Sequence, residues 1–354
     1  MATIRDVAEA AGVSVATVSR VLNGSPSVTD KTKARVERVV AKLEYWPHAA
    51  ARSLNTSRTH TLGVLLPDLH GQFFSEVIRG VDQGAREQGF QILVSSSHAD
   101  LETLMTGARA MSGRVDGLIV MAPDQATTLG MTRLARKFPV VLLNPNHPVE
   151  GCGTISVANF QGAVTVVEHL IQSGHRQIGI VKGPKGNMDA EERFRGFRHA
   201  LKKAGLDPST AFQFPGDFSE SSGFRAGEAI AGLRTRPTAV FAANDGMATG
   251  LLSALRRNKL HVPEDISVVG FDDIPIAQFL TPGLTTVHVD AYELGKRAVQ
   301  MLLGVLGGAS APPHETLPVK LVLRQSSQTR LKTIPGGTSR SRTASRSITP
   351  GGGV

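Results

Sequence analysis

The residues of this 354-residue chain that could do chemistry fall into two groups. Near the start, Ser14, Val15, Ala16, Thr17, Ser19 and Arg20 lie almost side by side. Arg20 can give a bidentate hydrogen-bond pair to a guanine edge, while Val15 and Ala16 suit thymine methyl groups. Farther on, Asp68, Phe73, Phe74, Arg193, Phe218, Asn244, Asp245, Asp272 and Asp273 stand after short apolar runs. One arginine, several carboxylates, an amide and aromatic faces suit a polyhydroxylated ligand. Carboxylates and amides pair with hydroxyls, and aromatic rings cover C–H faces. Signatures of catalysis are missing. No G-x-G-x-x-G follows the first strand-like run, and Gly183-Pro184-Lys185-Gly186 lacks the phosphate-loop spacing. There is no nucleophile elbow and no metal-spaced His/Cys cluster. An enzyme is therefore not expected, and no catalytic residue, metal or cofactor is assigned.

The first group needs a scaffold that presents it. Ile4, Val7, Ala8 and Ala11 share the face of a short helix, with Thr3 as N-cap and Asp6 completing a capping box. Gly12 supplies the positive φ of a three-residue turn, and Ala8 is small where the next helix crosses. That second helix, Val15–Leu22, turns Val18, Val21 and Leu22 inward. A third, from about Lys31 to Leu43 and capped by Thr29 or Asp30, closes the core with Val36, Val39, Val40 and Leu43. This is a helix-turn-helix, which sets the start of its second helix in the major groove.

The second group needs sheets. Beyond Arg58, nine strand-like apolar runs, from Leu62–Leu66 to Thr285–Val289 and including Ser267–Gly270, alternate with amphipathic helices. That alternation means parallel strands covered on both faces, and nine strands divide naturally into two doubly wound lobes. Ligands in such sheets sit beyond the carboxyl ends of the strands, where the second group falls. Structural roles compete at some positions. Asp245 and Asp273 also read as caps of following helices, His175 as a turn residue after Gly174, and Arg193 as standing at a helix start.

Charge is distributed unevenly. Residues 1–60 hold nine Lys/Arg against five Asp/Glu, residues 324–354 hold six against none, and the stretch between is near neutral within a net charge of +9. A basic first module points to a polyanion partner. The last residues, 335–354, are Gly, Ser, Thr, Pro and Arg with almost no apolar residues, a composition that reads as a disordered basic tail. No apolar run reaches membrane-spanning length, and the acid-bearing N-terminus lacks the apolar core of a secretory signal. Cys152, the single cysteine, has no partner for an internal disulfide. No membrane partner and a cytoplasmic location are expected.

The run Ile4-Arg5-Asp6-Val7-Ala8-Glu9-Ala10-Ala11-Gly12-Val13-Ser14, followed by Thr17-Val18-Ser19-Arg20-Val21-Leu22-Asn23, resembles the LacI/GalR family of bacterial repressors. So does Tyr45-Trp46-Pro47-His48-Ala49-Ala50-Ala51-Arg52-Ser53-Leu54, which is similar to that family's hinge. Arg114-Val115-Asp116-Gly117, Gly174-His175-Arg176, Arg193-Phe194-Arg195-Gly196-Phe197, Ala243-Asn244-Asp245 and Gly270-Phe271-Asp272-Asp273 extend the likeness across residues 3–330. It implies an all-α helix-turn-helix head and a two-lobed α/β core like that of periplasmic sugar-binding proteins.

Carried over position by position, Leu54 is a minor-groove wedge and Ala51 packs against a dimer mate. His48 stands where the family usually has Asn, with imidazole left to donate to phosphate. The effector contacts implied are Arg193, Asn244, Asp272 and Phe218, with Phe73 and Phe74 in the first lobe. Ala158 stands where the family usually has an acid that touches the effector, which implies a different ligand or hydrogen-bond set. The organisation expected is a head at 1–47, a hinge at 48–60, a core at 61–330 and a tail at 331–354. The core's N-lobe is about 61–158 with 288–315, and its C-lobe about 159–287 with 316–330. The partners implied are pseudo-palindromic double-stranded operator DNA, a second copy of the chain and a small-molecule effector, a sugar or sugar derivative. A sugar-transport protein would need export, and a general nucleoid protein would not need a near-neutral ligand core.

Overall fold

The computed structural model describes residues 2–22, 24–46, 58–122, 125–145, 147–308 and 314–327. His48, Ala51 and Leu54 of the expected hinge, and the whole of the 331–354 tail, lie outside the described residues.

The head is three helices locked by local chemistry. In α1 (Ile4–Ala11) the Thr3 hydroxyl accepts from Asp6 N–H while the Asp6 carboxylate accepts from Thr3 N–H at 2.7 Å, the reciprocal box that satisfies two orphan donors. Gly12 ends the helix at φ +60, and its N–H returns to Ala8 and Glu9 carbonyls. Ser14 then starts α2 (Val15–Leu22), its hydroxyl accepting from Thr17 N–H at 3.1 Å. Helix α3 (Asp30–Lys42) follows Thr29, whose side chain makes no cap hydrogen bond. Val7, Ala8, Ala11, Val18, Val21, Val36 and Tyr45 form the buried centre, whereas Leu22, Val39, Val40 and Leu43 pack half-buried around it. Tyr45 enters this core from beyond the third helix, so residue periodicity within the helices does not reveal it.

Two six-stranded sheets build the core. In the first lobe β1 (Thr61–Leu66), β2 (Gln91–Ser96), β3 (Gly117–Met121), β4 (Val140–Leu143) and β5 (Gly153–Val157) lie parallel in the order β2-β1-β3-β4-β5. The second lobe repeats this with β6 (Ile178–Val181), β7 (Phe212–Phe214), β8 (Ala239–Ala242), β9 (Ser267–Asp272) and β10 (Thr285–His288), in the order β7-β6-β8-β9-β10. Strands β3, β4, β6, β8 and β9 are buried along nearly their whole length because helices cover both faces. The outer edges are completed by β11 (Glu315–Leu317), parallel to β5, and β12 (Lys320–Val322), antiparallel to β10.

The covering helices are α4 (Gln72–Glu87), α5 (Leu101–Met111), α6 (Gln125–Ala135) and α11 (Ala291–Leu306) in the first lobe. Those of the second are α7 (Asn159–Gln172), α8 (Met188–Lys203), α9 (Glu220–Ala231) and α10 (Asp245–Arg257). Helices α4 and α11 touch backbone to backbone. A Cβ on Gly80 would lie 1.9 Å from the Tyr292 carbonyl oxygen, and one on Gly295 would lie 2.2 Å from that of Val77. Only glycine fits either side of that crossing.

The chain passes between the lobes after β5, after β10 and between β11 and β12. Strands β7, β11 and β12 fall outside the nine expected runs. Each has three residues with at most one buried, too short to show a period. Strand β9 continues past Gly270 to Asp272, where its backbone pairs with His288. That extension places Asp272 at the strand's carboxyl end rather than in the loop after it.

Candidate functional site

On α2 the candidate readers share the solvent side. Ser14, Val15, Ala16 and Arg20 are exposed, and Thr17 and Ser19 are half-buried. Val18 and Val21 take the opposite face and are buried. Val15 keeps 41% of its surface exposed, unusual for a valine on a short helix with a core available. Ser14 and Thr17 have a second role: their hydroxyls lie 2.9 Å apart and fix the helix start.

The second group meets at the carboxyl ends of both sheets. Phe73 and Phe74 from the first turns of α4, with Arg193, Phe218, Asn244 and Asp272 from the second lobe, line one cleft of about 600 Å³ between the lobes. Asp68 lines it too, as do His70, His98 and Asp189, which sequence reasoning had not singled out. His98, Ala99, Phe218 and Asp272 all hold positive φ, at +49°, +54°, +70° and +109°. For residues with a side chain this is strained backbone, of the kind that persists where surrounding structure over-determines it.

The floor of the cleft is a connected polar network. Arg193 is buried, and its Nη2 meets Asp272 Oδ1 at 3.0 Å. Its Nη1 donates to the Ala243 carbonyl at 2.6 Å and its Nε to Asn159 Oδ1 at 2.8 Å. The guanidinium lies 3.8 Å from the Phe271 ring centroid and 5.7 Å from that of Phe218, which adds cation–π attraction. The Nδ2 of Asn159 donates to Asp189 Oδ1 at 2.8 Å, and from the first lobe the Nδ2 of Asn144 donates to Asp189 Oδ2 at 3.1 Å. One carboxylate thus ties both lobes together beside the cleft. Burial pushes the Asp272 carboxyl up to about 6; Arg193 opposes that rise and the Asp189 charge adds to it.

Several local roles differ from those expected. Arg193 sits in the second turn of α8, which begins at Met188, and not at a helix start. The cap of α10 is Asn244 and not Asp245: Asn244 Oδ1 accepts from Met247 N–H at 2.9 Å while its Nδ2 donates to the Phe218 carbonyl at 3.0 Å. Asn244 therefore holds Phe218 in place as it lines the cleft. Asp245 is fully buried, accepting from the Thr286 hydroxyl at 2.6 Å and from Ile274 N–H at 3.0 Å. Burial, and then the neighbouring Asp272 charge, hold its carboxyl well above the usual range. Asp273 caps nothing; it pairs with Arg324 at 2.7 Å and His288 at 2.9 Å. His175 does lie in the turn after Gly174, with Nδ1 3.0 Å from the Thr238 hydroxyl.

Asp189 reads in the sequence as one acid in the first turn of an Asn-capped helix, a common helix-dipole arrangement. Its partners lie 45 and 30 residues upstream, and no spacing rule connects them. Among the described residues no helix is long and apolar enough to cross a membrane, and no group of three or more His, Cys, Asp or Glu is placed to hold a metal.

A helix-turn-helix head on two doubly wound lobes, with a polar cleft between them, defines a DNA-binding regulator with a ligand-holding core. Residues 3–48 match the family described as bacterial regulatory proteins, lacI family, and residues 167–327 match the periplasmic binding protein-like domain. The chain is 36% identical over 307 residues to the ribose operon repressor of Escherichia coli (strain K12), covering 86% of this chain and 92% of that one. It is 38% identical over 307 residues to the HTH-type transcriptional repressor PurR of Edwardsiella ictaluri, with 86% and 90% covered. The crystal structure of the lac repressor dimer bound to operator and the anti-inducer ONPF superposes with a TM-score of 0.83 at 32% identity. That likeness covers 92% of this chain and 99% of the other. The chain belongs to the LacI family. It is a transcriptional repressor with a DNA-binding head and an effector-binding core, and not an enzyme.

Proposed function

We propose that the effector is a sugar held between the polar floor of the second lobe and the aromatic side chains of the first. The buried Arg193–Asp272 pair, facing Phe73 and Phe74 across the cleft with Phe218 beside it, carries this reading. Vicinal hydroxyls both donate and accept, so they can bridge a guanidinium and a carboxylate held 3.0 Å apart, while phenyl rings cover the apolar face of a sugar ring. The relative named as a ribose operon repressor supports the same class.

The DNA contacts assigned are Ser14, Val15, Ala16, Thr17, Ser19 and Arg20 in the major groove, with His48, Ala51 and Leu54 at the operator centre. Two copies of the chain bind a pseudo-palindromic operator, since one recognition helix reads only a few base pairs. Leu54 acts as the wedge, its unstacking cost offset by a kinked duplex with more contacts. The protein works in the cytoplasm and associates with the nucleoid when bound. The test is operator binding and thermal stability of the full chain against a panel of pentoses, hexoses and purines. Sugars raise the melting temperature and change operator affinity if the reading holds; a response to purines alone removes it. Leu54→Ala abolishes operator binding while leaving the effector's thermal shift, and retained operator affinity removes the wedge.

A further inference from the structure

The charges lining the cleft are unbalanced, and their arrangement selects among sugars. Five carboxylates line it: Asp272 and Asp189 at the floor, with Asp68, Asp217 and Glu220 exposed at the rim. Against them stand two cations in the lining, Arg193 and Lys185, and Arg225, which pairs with Asp217 at the rim at 3.4 Å. Arg193 is already committed, with Asp272 at 3.0 Å, the Ala243 carbonyl at 2.6 Å and Asn159 at 2.8 Å. Lys185 is exposed at the rim, as three of the carboxylates are, so it offsets one of them and adds no buried cation.

Backbone donors offer no substitute. A helix N-terminus facing a cleft is normally a ready anion site. Here Asn187 caps α8, Ser219 caps α9 and Asn244 caps α10, and each of these helices carries an acid in its first turn: Asp189, Glu220 and Asp245. Of the four helices whose starts line the cleft, α4 begins without a side-chain cap, after Gly71, and the Asp68 carboxylate lies in the loop leading into it, accepting from Leu69 and His70 N–H groups. Burial is the main reason the Asp272 carboxyl is raised, and the neighbouring Asp189 charge adds to it.

We propose that the cleft admits an uncharged polyol and rejects the phosphorylated form of the same sugar. This rests on the sugar reading above and narrows it. A phosphate would bring about two negative charges among carboxylates, with no uncommitted buried cation among the described residues to receive them. Like-charge juxtaposition in a partly desolvated site is strongly unfavourable.

The experiment is isothermal titration of the full chain with D-ribose against ribose 5-phosphate, and D-glucose against glucose 6-phosphate. It is run at pH 8. One free sugar binds, and its phosphate binds about tenfold or more weakly. That gap narrows as salt is raised from about 0.05 M to 0.5 M, because rim charges are screened. The double substitution Asp68→Asn with Glu220→Gln narrows it several-fold at low salt. A phosphate that binds as tightly as its parent sugar, or more tightly, overturns the inference while leaving the sugar reading in place. Binding of hypoxanthine or guanine with no sugar or phosphate binding overturns both.

Discussion

The recognition helix and the cleft floor both use an arginine, yet they present it in opposite ways. On α2 the Arg20 side chain is exposed beside Val15 and Ala16, and the helix is held from its other face by Val18 and Val21. At the floor Arg193 is buried and joined to Asp272, Asn159 and Ala243 before any ligand arrives. A surface that waits for its partner can be altered without disturbing the fold. A floor that is already assembled cannot. Changes on the exposed face of α2 therefore act on recognition alone, whereas changes in the cleft floor act on folding and recognition together.

The largest effect expected tests the floor. Asp272→Ala leaves the Arg193 guanidinium buried without its carboxylate, a loss of about 3–5 kcal/mol in stability. It abolishes the effector response while the head still binds operator. Thermal melts and operator titrations check both parts, and a normal effector response moves the site elsewhere. On the reading side, Arg20→Ala lowers discrimination at one base position by roughly 1–3 kcal/mol with the melting temperature unchanged. A binding-site selection that returns an unaltered preference removes Arg20 as a reader. Smaller still, Thr3→Ala removes the capping box of α1 and costs about 1 kcal/mol, read as earlier melting of the head.

Acidity sharpens the contrast. Burial holds the proton on Asp272 in the folded chain up to about 6, against an ordinary aspartate value of 3.8. Between those values the unfolded chain has released its proton and the folded chain has not, so this group's contribution to stability falls as pH rises through the window. Asp272→Asn flattens that part of the stability profile. Ligand binding moves the other way. The ionised carboxylate is the better acceptor for sugar hydroxyls, so effector affinity falls as pH is lowered below about 6, and operator affinity without effector does not track Asp272. A stability profile identical in wild type and Asp272→Asn between pH 4 and pH 6 contradicts the assignment.

How much was legible in the sequence follows from the same distinction. The head is governed by local rules: Thr3 to Asp6, Gly12 at the turn, and Val18 and Val21 one helical turn apart, each within a few residues of its partner. Alternating apolar runs sufficed for two parallel lobes, and the rule that ligands gather at strand carboxyl ends brought Phe73, Phe74, Arg193, Phe218, Asn244 and Asp272 toward one cleft. What stayed hidden is non-local. The bridging role of Asp189 depends on Asn144 and Asn159, which reach it only after β4 and β5 have been placed and the chain has crossed between lobes. The burial of Asp245 likewise depends on Thr286, 41 residues away. Strands of three residues, β7, β11 and β12, are too short for any pattern to mark them.

The most direct measurement is a fluorescence anisotropy titration of labelled operator DNA by the full chain, with and without the sugar that binds it, in wild type and Asp272→Ala. If the cleft governs the head, sugar shifts wild-type operator affinity about tenfold or more and leaves Asp272→Ala unmoved. An equal shift in both proteins, or no shift in wild type at saturating sugar, contradicts the coupling.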